Sequence, residues 1–469
     1  MNYTTLYNIF LKEFPWTPTE DQEKCLRGLA HLFIPEKNQL KKDDVFLLIG
    51  YAGTGKTTVV QAFSKALKYI GWSSVLGAPT GRAAKILQGT WGQRAWTLHR
   101  MLYISVRGSD GVFKRIRRKN KGSRLIFIID EASMISDSRE NGQILNDLLN
   151  FVRSGKDCKL ILVGDEAQLP PVGQIDSPAL SLEILLNSYS IKAHVSLLSS
   201  VMRQSGDSGI LSTATDLRNA LFSKSSFFPV LRSSKEVRFI NDLQELHESL
   251  ESSFSHTDND SVLITRSNAR AVLYNEQIRS TLLGYEDIIN AGDLVMVVQN
   301  NENWLDQKDG AGFIANGDML EVLSWRNEEK KYGLRFADAT LAWADMDAPS
   351  FEAKIILDTL SSKTSRLSKD QSSSLYSQIM DEFKKSGLDK LARSSFFRNH
   401  PYGQALQLKF GYSLTAHKAQ GGQWNEVFVE KPYTDNPGGK EYIRWMYTSF
   451  TRAKKRLYLI GFSEGHDER

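Results

Sequence analysis

Short apolar runs, each closed by a polar or glycine-containing turn, recur through the first 200 residues. They are Val45-Phe46-Leu47-Leu48-Ile49, Val75-Leu76, Leu125-Ile126-Phe127-Ile128-Ile129 and Leu160-Ile161-Leu162-Val163. Uninterrupted apolar runs separated by helical stretches predict buried parallel strands, because a strand covered by helices on both faces has no polar side. Ligands bind at the C-terminal ends of such strands. Residues 57–69 predict the first crossover helix, with 54–57 at its N-terminus. A second set of the same kind follows: Val262-Leu263-Ile264, Val427-Phe428-Val429 and Leu457-Tyr458-Leu459-Ile460. Residues 1–200 and 255–469 therefore read as two α/β layers, since one core rarely grows past roughly 250–300 residues.

Two interruptions break the pattern. Between Leu102 and Arg124, two β-leaning stretches flank Gly108-Ser109-Asp110-Gly111 and predict a hairpin with a strongly basic second arm, Lys114, Arg115, Arg117, Arg118, Lys119 and Lys121. From Gly292 to about Phe410, the runs 293–298 and 314–323 predict short strands of a small β-barrel. Residues 361–374 are rich in serine and charge and read as a surface helix or loop at the tip of that insertion.

Composition narrows the class without choosing a function. The 469 residues are 41% hydrophobic and 24% charged, with a formal charge of +5, a balance that suits one basic face as well as a plain enzyme. Only two cysteines occur, Cys25 and Cys158, with no CxxC, which argues against a disulfide framework or a zinc ribbon. No signal peptide is evident in residues 1–14, and no apolar run reaches membrane-span length. A soluble, cytoplasmic protein is expected.

Gly50-Tyr51-Ala52-Gly53-Thr54-Gly55-Lys56-Thr57 fits G-x-x-x-x-G-K-[ST] between a strand and a helix. Backbone amides of such a loop cradle phosphate, and the helix N-terminus adds its positive end. Lys56 is expected at the β- and γ-phosphates of ATP, and Thr57 on Mg²⁺. Asp130-Glu131 and Asp165-Glu166 both follow apolar runs. Asp130 is preferred for the water shell of Mg²⁺ and Glu131 for the attacking water; Asp165-Glu166, ahead of Ala167-Gln168-Leu169-Pro170-Pro171, reads as a coupling loop. Cations for the leaving phosphates have two candidates, Arg203 and Arg452.

The order of these motifs resembles the superfamily 1 DNA helicases of the RecD/Dda-like, 5′-to-3′ branch, over residues 14 to 461. Phe14-Pro15-Trp16-Thr17-Pro18-Thr19-Glu20-Asp21-Gln22 resembles the adenine-reading Q motif, which puts Gln22 on the base. Gly50, Gly53, Thr54, Gly55, Lys56, Thr57 and Thr58 then belong to the ATP loop of motif I, and Asp130-Glu131 to motif II. Ala78-Pro79-Thr80-Gly81-Arg82 and Thr97-Leu98-His99 are similar to elements that contact the single strand, which implies Pro79, Thr80 and His99 as DNA contacts. Gly164 to Val172 resembles motif III, with Gln168 sensing the γ-phosphate. Residues 197–204 resemble the family stretch that ends in an Arg-Gln pair, which implies Arg203 as a γ-phosphate contact. Gly411 to Gly421 resembles motif V, with Thr415 and His417 on the strand, and Tyr447 to Lys454 motif VI, with Arg452 as arginine finger. After Gly421 the family commonly has Ser-Glu where this chain has Gly422-Gln423.

The resemblance implies an α/β fold of two tandem RecA-like P-loop cores: residues 1–96 and 123–255, then 256–291 and 411–469. It makes the hairpin at 97–122 a strand-separating pin, with Phe113, Lys114 and Arg115 at the duplex, and 292–410 an SH3-like barrel with a Ser-rich arm. The expected protein is an ATP- and Mg²⁺-dependent helicase of the nucleoid. Its partners would be single-stranded DNA, duplex junctions, and single-strand-binding, replication, recombination or repair proteins. A monomer can hold the whole cycle, because both arginines come from one chain. The competing readings are a translocase with weak unwinding, an RNA-directed helicase, and a non-motor regulatory module; a solvated face competes for the basic arm.

Overall fold

The computed structural model describes residues 3–33, 44–107, 113–138, 142–201, 208–223, 229–255, 260–301, 303–305, 314–344, 348–387, 389, 392–434, 436 and 438–466. Its first sheet contains β1 (Val45–Gly50), β2 (Ser73–Ala78) and β3 (Ala95–Thr97). After the hairpin β4 (Tyr103–Arg107) and β5 (Phe113–Arg117) come β6 (Leu125–Ile129), β7 (Lys159–Gly164) and β8 (Ala193–Leu198). The order is β8-β1-β7-β6-β2-β3, with every pair parallel. β1, β7 and β6 are the most apolar strands and take the centre, where both faces are covered. Their C-terminal loops therefore lie side by side: the glycine-rich loop, residues 165–169, and Asp130-Glu131.

The hairpin is fastened to the first core at its base. Asp147, on the helix Ile144–Arg153, takes the Arg117 guanidinium at 2.9 Å and the Tyr103 hydroxyl at 2.6 Å. The Arg118 Nε donates to the Tyr103 carbonyl at 3.0 Å. Two cations of the basic arm, Arg117 and Arg118, thus anchor the hairpin at its base.

The second sheet is also parallel. Its strands are β9 (Val237–Ile240) and β10 (Ser261–Thr265), which precede the barrel in sequence, and three that follow it. The barrel is closed and formed by β11 (Leu294–Val297), β12 (Met319–Lys331), β13 (Leu334–Trp343), β14 (Phe351–Ile356) and β15 (Leu406–Phe410). Then come β16 (Ser413–Thr415), β17 (Trp424–Glu430) and β18 (Ala453–Ile460), in the sheet order β9-β18-β17-β10-β16. The fold is thus two P-loop-helicase-like α/β units with a small closed barrel inserted in the second. One expected boundary shifts. The first core was expected to run to residue 255, yet β9 pairs with β18, and Ile210, Ala214 and Leu217 pack with Tyr442, Met446 and Phe450 of the second unit. The physical reason is burial: those apolar faces find their partners in the second sheet's core.

The Ser-rich arm is a helix, Lys369–Lys385, started by a capping box of Ser368 and Gln371. Its Leu375, Ile379 and Phe383 pack with Phe336 and Ile356 on the outside of the barrel. The barrel also leans on the first core. A Cβ on Gly81 would lie 1.9 Å from that of Ala315, so only glycine lets the two backbones approach. Lys85 pairs with Asp318, and its ammonium sits 3.8 Å above the Trp343 ring. On the other side, Arg279 grips Asp293 through Nε at 2.7 Å and Nη2 at 2.8 Å, with Tyr412 adding a hydrogen bond at 3.1 Å. Asp293 is fully buried, so Asp293→Ala strands a buried guanidinium. The expected cost is about 3–5 kcal/mol, read as a lower denaturant midpoint for the step that unfolds the barrel. Among the described residues no helix is long and apolar enough to cross a membrane.

Candidate ATP site and nucleic-acid track

A cleft of about 1430 Å³ opens at the C-terminal ends of β1, β6 and β7. The loop 51–58, Asp130, Glu131, Asp165 and Gln168 line it from the first core, and Gln423, Arg452 and Lys454 from the second. Gly53 and Gly55 take positive φ, 75° and 80°, which turns the loop and starts the helix Lys56–Ala66. The Lys56 ammonium donates to the carbonyls of Gly50 and Tyr51 at 2.7 and 3.0 Å, along the inside of the loop. Thr57 is exposed to the cleft.

Asp130 accepts the Glu131 N–H at 2.8 Å through one oxygen. Glu131 has φ of 51°, a left-handed conformation that a glutamate adopts only under constraint. Burial pushes the carboxyls of Asp130, Glu131 and Asp165 above the ordinary carboxylate range. The neighbouring Asp130 charge raises Glu131 further, while Arg452 and Lys56 pull it back. An exposed hydroxyl, Thr57, and a half-buried carboxylate, Asp130, on one cleft wall are a partial oxygen shell. That donor set fits a small divalent ion that keeps waters and takes phosphate oxygens.

Gln168 is 7% exposed, and its Oε1 has no hydrogen-bond partner within the protein, so a buried acceptor faces the cleft. Arg452 is 5% exposed. Its Nε donates to the Thr448 carbonyl at 2.9 Å, Nη1 to the Gly422 carbonyl at 3.3 Å and Nη2 to the Thr451 hydroxyl at 3.1 Å. The second core thus holds a cation at the wall of the first core's loop. Gly422, where the family commonly has Ser, is explained by crowding: a Cβ there would lie 2.5 Å from the Trp424 ring and 3.0 Å from the Arg82 guanidinium, which itself stacks on Trp424 at 4.4 Å.

Gln22, expected on the adenine, closes the capping box of the helix Glu20–His31. It is fully buried, accepts the Thr19 N–H at 3.0 Å and donates to the Thr54 carbonyl at 3.1 Å. Here it ties the N-terminus of the helix Glu20–His31 to the phosphate loop. Arg203 lies outside the described residues, as do the side chains of Phe113, Lys114 and Arg115.

The track candidates fall into two pairs. Pro79 and Thr80 follow β2, and His99 follows β3, its parallel neighbour in register Ala78 to Thr97. Thr80 caps the helix Gly81–Trp91 through the Ala83 N–H at 3.3 Å, and His99 is exposed, 5.9 Å from the Tyr103 ring. Thr415 ends β16, beside the end of β10, and is buried; His417 is exposed. The sequence reading missed Lys409, on barrel strand β15, and passed over Lys418. Both line a small recess with Thr415, Asn268 and Ser413. Burial lowers each lysine to about 8, and Lys418 adds repulsion at Lys409. It also missed Tyr447 and Thr448, buried residues of the Arg452 segment whose hydroxyls bond to residues 165–169.

Comparison with known proteins agrees with this arrangement. Residues 37–227 match an AAA domain family, and residues 410–460 match the UvrD-like helicase C-terminal domain. By these matches the chain carries a superfamily-1-like helicase core, related in sequence to RecD proteins. This helicase core is 25% identical over 500 residues to the RecBCD enzyme subunit RecD of Buchnera aphidicola, covering 95% of this chain and 76% of that one. It is 33% identical over 150 residues to the ATP-dependent RecD2 DNA helicase of Deinococcus radiodurans, covering 32% and 19%. Its fold is that of a Bacteroides Pif1 helicase solved with ADP-AlF3 and ssDNA: TM-score 0.50, 16% identity, and coverage of 95% and 92%. The first core of this helicase is a P-loop ATPase domain.

Proposed function

We propose that this helicase core is an ATP-driven motor that moves along single-stranded DNA, 5′ to 3′, and splits duplex on the hairpin β4–β5. The observation that carries the reading is the shared cleft: Lys56 of the first core and Arg452 of the second line one cavity. ATP between them draws the cores together through charge, and loss of the γ-phosphate removes that attraction. Glu131 is the base that orients and deprotonates the attacking water. Lys56 and Arg452 meet the phosphate charge, joined by Arg203, and Gln168 donates to the γ-phosphate through its amide NH₂, which leaves its Oε1 as the acceptor without a partner in the protein. Thr57 and Asp130 would hold Mg²⁺, largely through water; when bound, that ion neutralises the β- and γ-phosphate oxygens. Gln22 acts in this scheme as a brace for the loop rather than as a reader of the base.

The strand runs over Pro79, Thr80 and His99 on the first core and Thr415 and His417 on the second, by backbone contacts that tolerate any sequence. Lys409 and Lys418 join that track beside Thr415. Lys409 is buried and donates to the Ser362 carbonyl, Lys418 is half-buried, and neither ammonium has a carboxylate partner among the described residues, which leaves their charge for a phosphate. Lys409→Ala and Lys418→Ala should each flatten the slope of log affinity against log salt by about 0.7 on single strands. The protonated lysine is the binding form. Because each titrates near 8 rather than 10.5, affinity in the wild type should weaken as pH rises above about 8, and the double variant should lose that limb.

The test of the function is ATP turnover with and without short single-stranded DNA or RNA, beside unwinding of forked duplexes carrying a 5′ or a 3′ tail. The reading expects DNA stimulation and unwinding from the 5′ tail alone. Deleting residues 108–111 should abolish unwinding while DNA-stimulated ATPase survives; a variant that still unwinds would remove the pin from the scheme. Partners among single-strand-binding and repair proteins, and a place on the nucleoid, follow from the same reading and are tested by co-purification with DNA-bound complexes.

A further inference from the structure

Besides Arg452, the second core reaches the ATP site through a phenol. Tyr447, on the helix Lys440–Phe450, is 1% exposed. Its hydroxyl accepts the N–H of Ala52, inside the phosphate loop, at 3.0 Å and donates to Asp165 Oδ2 at 2.7 Å. Asp165 is also 1% exposed, and its other oxygen accepts the Ala167 N–H at 2.9 Å. One hydroxyl of the second core therefore bridges two loops of the first, the one that holds phosphate and the one that follows β7. The neighbouring bonds run the same way. Thr448 Oγ1 accepts the Leu169 N–H at 2.8 Å, and the Gln420 amide donates to the Leu169 carbonyl at 2.9 Å.

We infer that Tyr447 is a positioning residue for ATP hydrolysis: its phenol registers the second core against the phosphate loop and Asp165, so that Arg452, five residues on, meets the nucleotide in its working place. This deepens the ATPase reading above and rests on it. Three facts carry it. The hydroxyl is the only polar atom of a ring otherwise packed among apolar side chains, so its two bonds are specific. Both partners, Ala52 and Asp165, line the ATP cleft. And burial together with the Asp165 charge keeps the phenol protonated far above its ordinary range, so it always has a proton to donate.

Tyr447→Phe keeps the ring and removes only the bridge. Its expected result is a kcat for ATP lowered about tenfold to a hundredfold, with KM and the affinity for a fluorescent ADP within about twofold of wild type. That split separates registration of the site from loss of fold or of nucleotide binding. Asp165→Asn tests the same bridge from the other end. If the two act through one bond, the double variant is no slower than the slower single. Basal and DNA-stimulated rates are read for every protein. An unaltered kcat in Tyr447→Phe, or independent additive losses in the double variant, overturns the inference. A wild type whose turnover ignores DNA overturns the helicase reading instead, and the basal rates still decide the role of Tyr447.

Discussion

Glu131→Gln should bind ATP as tightly as the wild type and turn it over about 10²–10⁴-fold more slowly, the range for loss of a general base. The carboxylate stands at the end of β6, beside Asp130 and within the fields of Lys56 and Arg452. Glutamine preserves its size and one hydrogen-bonding oxygen but cannot take the proton of the attacking water. Because burial and the Asp130 charge raise the Glu131 carboxyl, the base is lost on acidification earlier than an ordinary glutamate would be. The wild-type rate should therefore fall with decreasing pH already above about 4.3, the usual glutamate value, and the residual rate of Glu131→Gln should not share that limb. Steady-state turnover across pH, with ATP affinity measured in parallel, checks both parts. An unchanged kcat would move the base elsewhere, with Asp165 the next carboxylate on the same wall.

Arg452→Ala should cost about 10³–10⁵ in DNA-stimulated turnover, the range for removing a cation that meets transferring phosphate. Arg452→Lys should recover little of it. The guanidinium is held by three acceptors, the Thr448 and Gly422 carbonyls and the Thr451 hydroxyl, in a planar fork that an ammonium cannot span. A loss expressed only as a raised KM, with kcat unchanged, would mean that Arg452 only binds nucleotide. Equal rates for the alanine and lysine variants, both far below wild type, would support the fork.

The central strands were legible because they are apolar without interruption: β1, β6 and β7 coincide with runs that any periodicity reading finds. The strands that escaped are of another kind. β8, Ala-His-Val-Ser-Leu-Leu, is an edge strand with one half-exposed face, and β3 and β16 are three residues long. β9 escaped because local sequence does not say which sheet a strand will join. Lys56, Asp130 and Glu131 stood out because their residue types fall at strand ends beside a glycine-rich loop; Arg452, which lines the same cleft, took its role from the family resemblance and not from spacing. Gln22 was ambiguous in the sequence because a glutamine after a Thr cap satisfies a capping box as readily as it reads a base; in the folded chain it closes that box and bonds to the Thr54 carbonyl. Tyr447 and Lys409 were not legible at all: each acts across a boundary between units that only the folded chain brings together.

The backbone at Glu131 has a consequence for selection. A left-handed glutamate costs the native state about 1–2 kcal/mol relative to a residue at ease there. Glycine or asparagine at this position would relax the turn and stabilise the fold, and either would remove the base. Selection for heat tolerance alone should therefore drift toward inactive proteins at this codon, whereas selection for turnover should keep a glutamate that the fold itself disfavours.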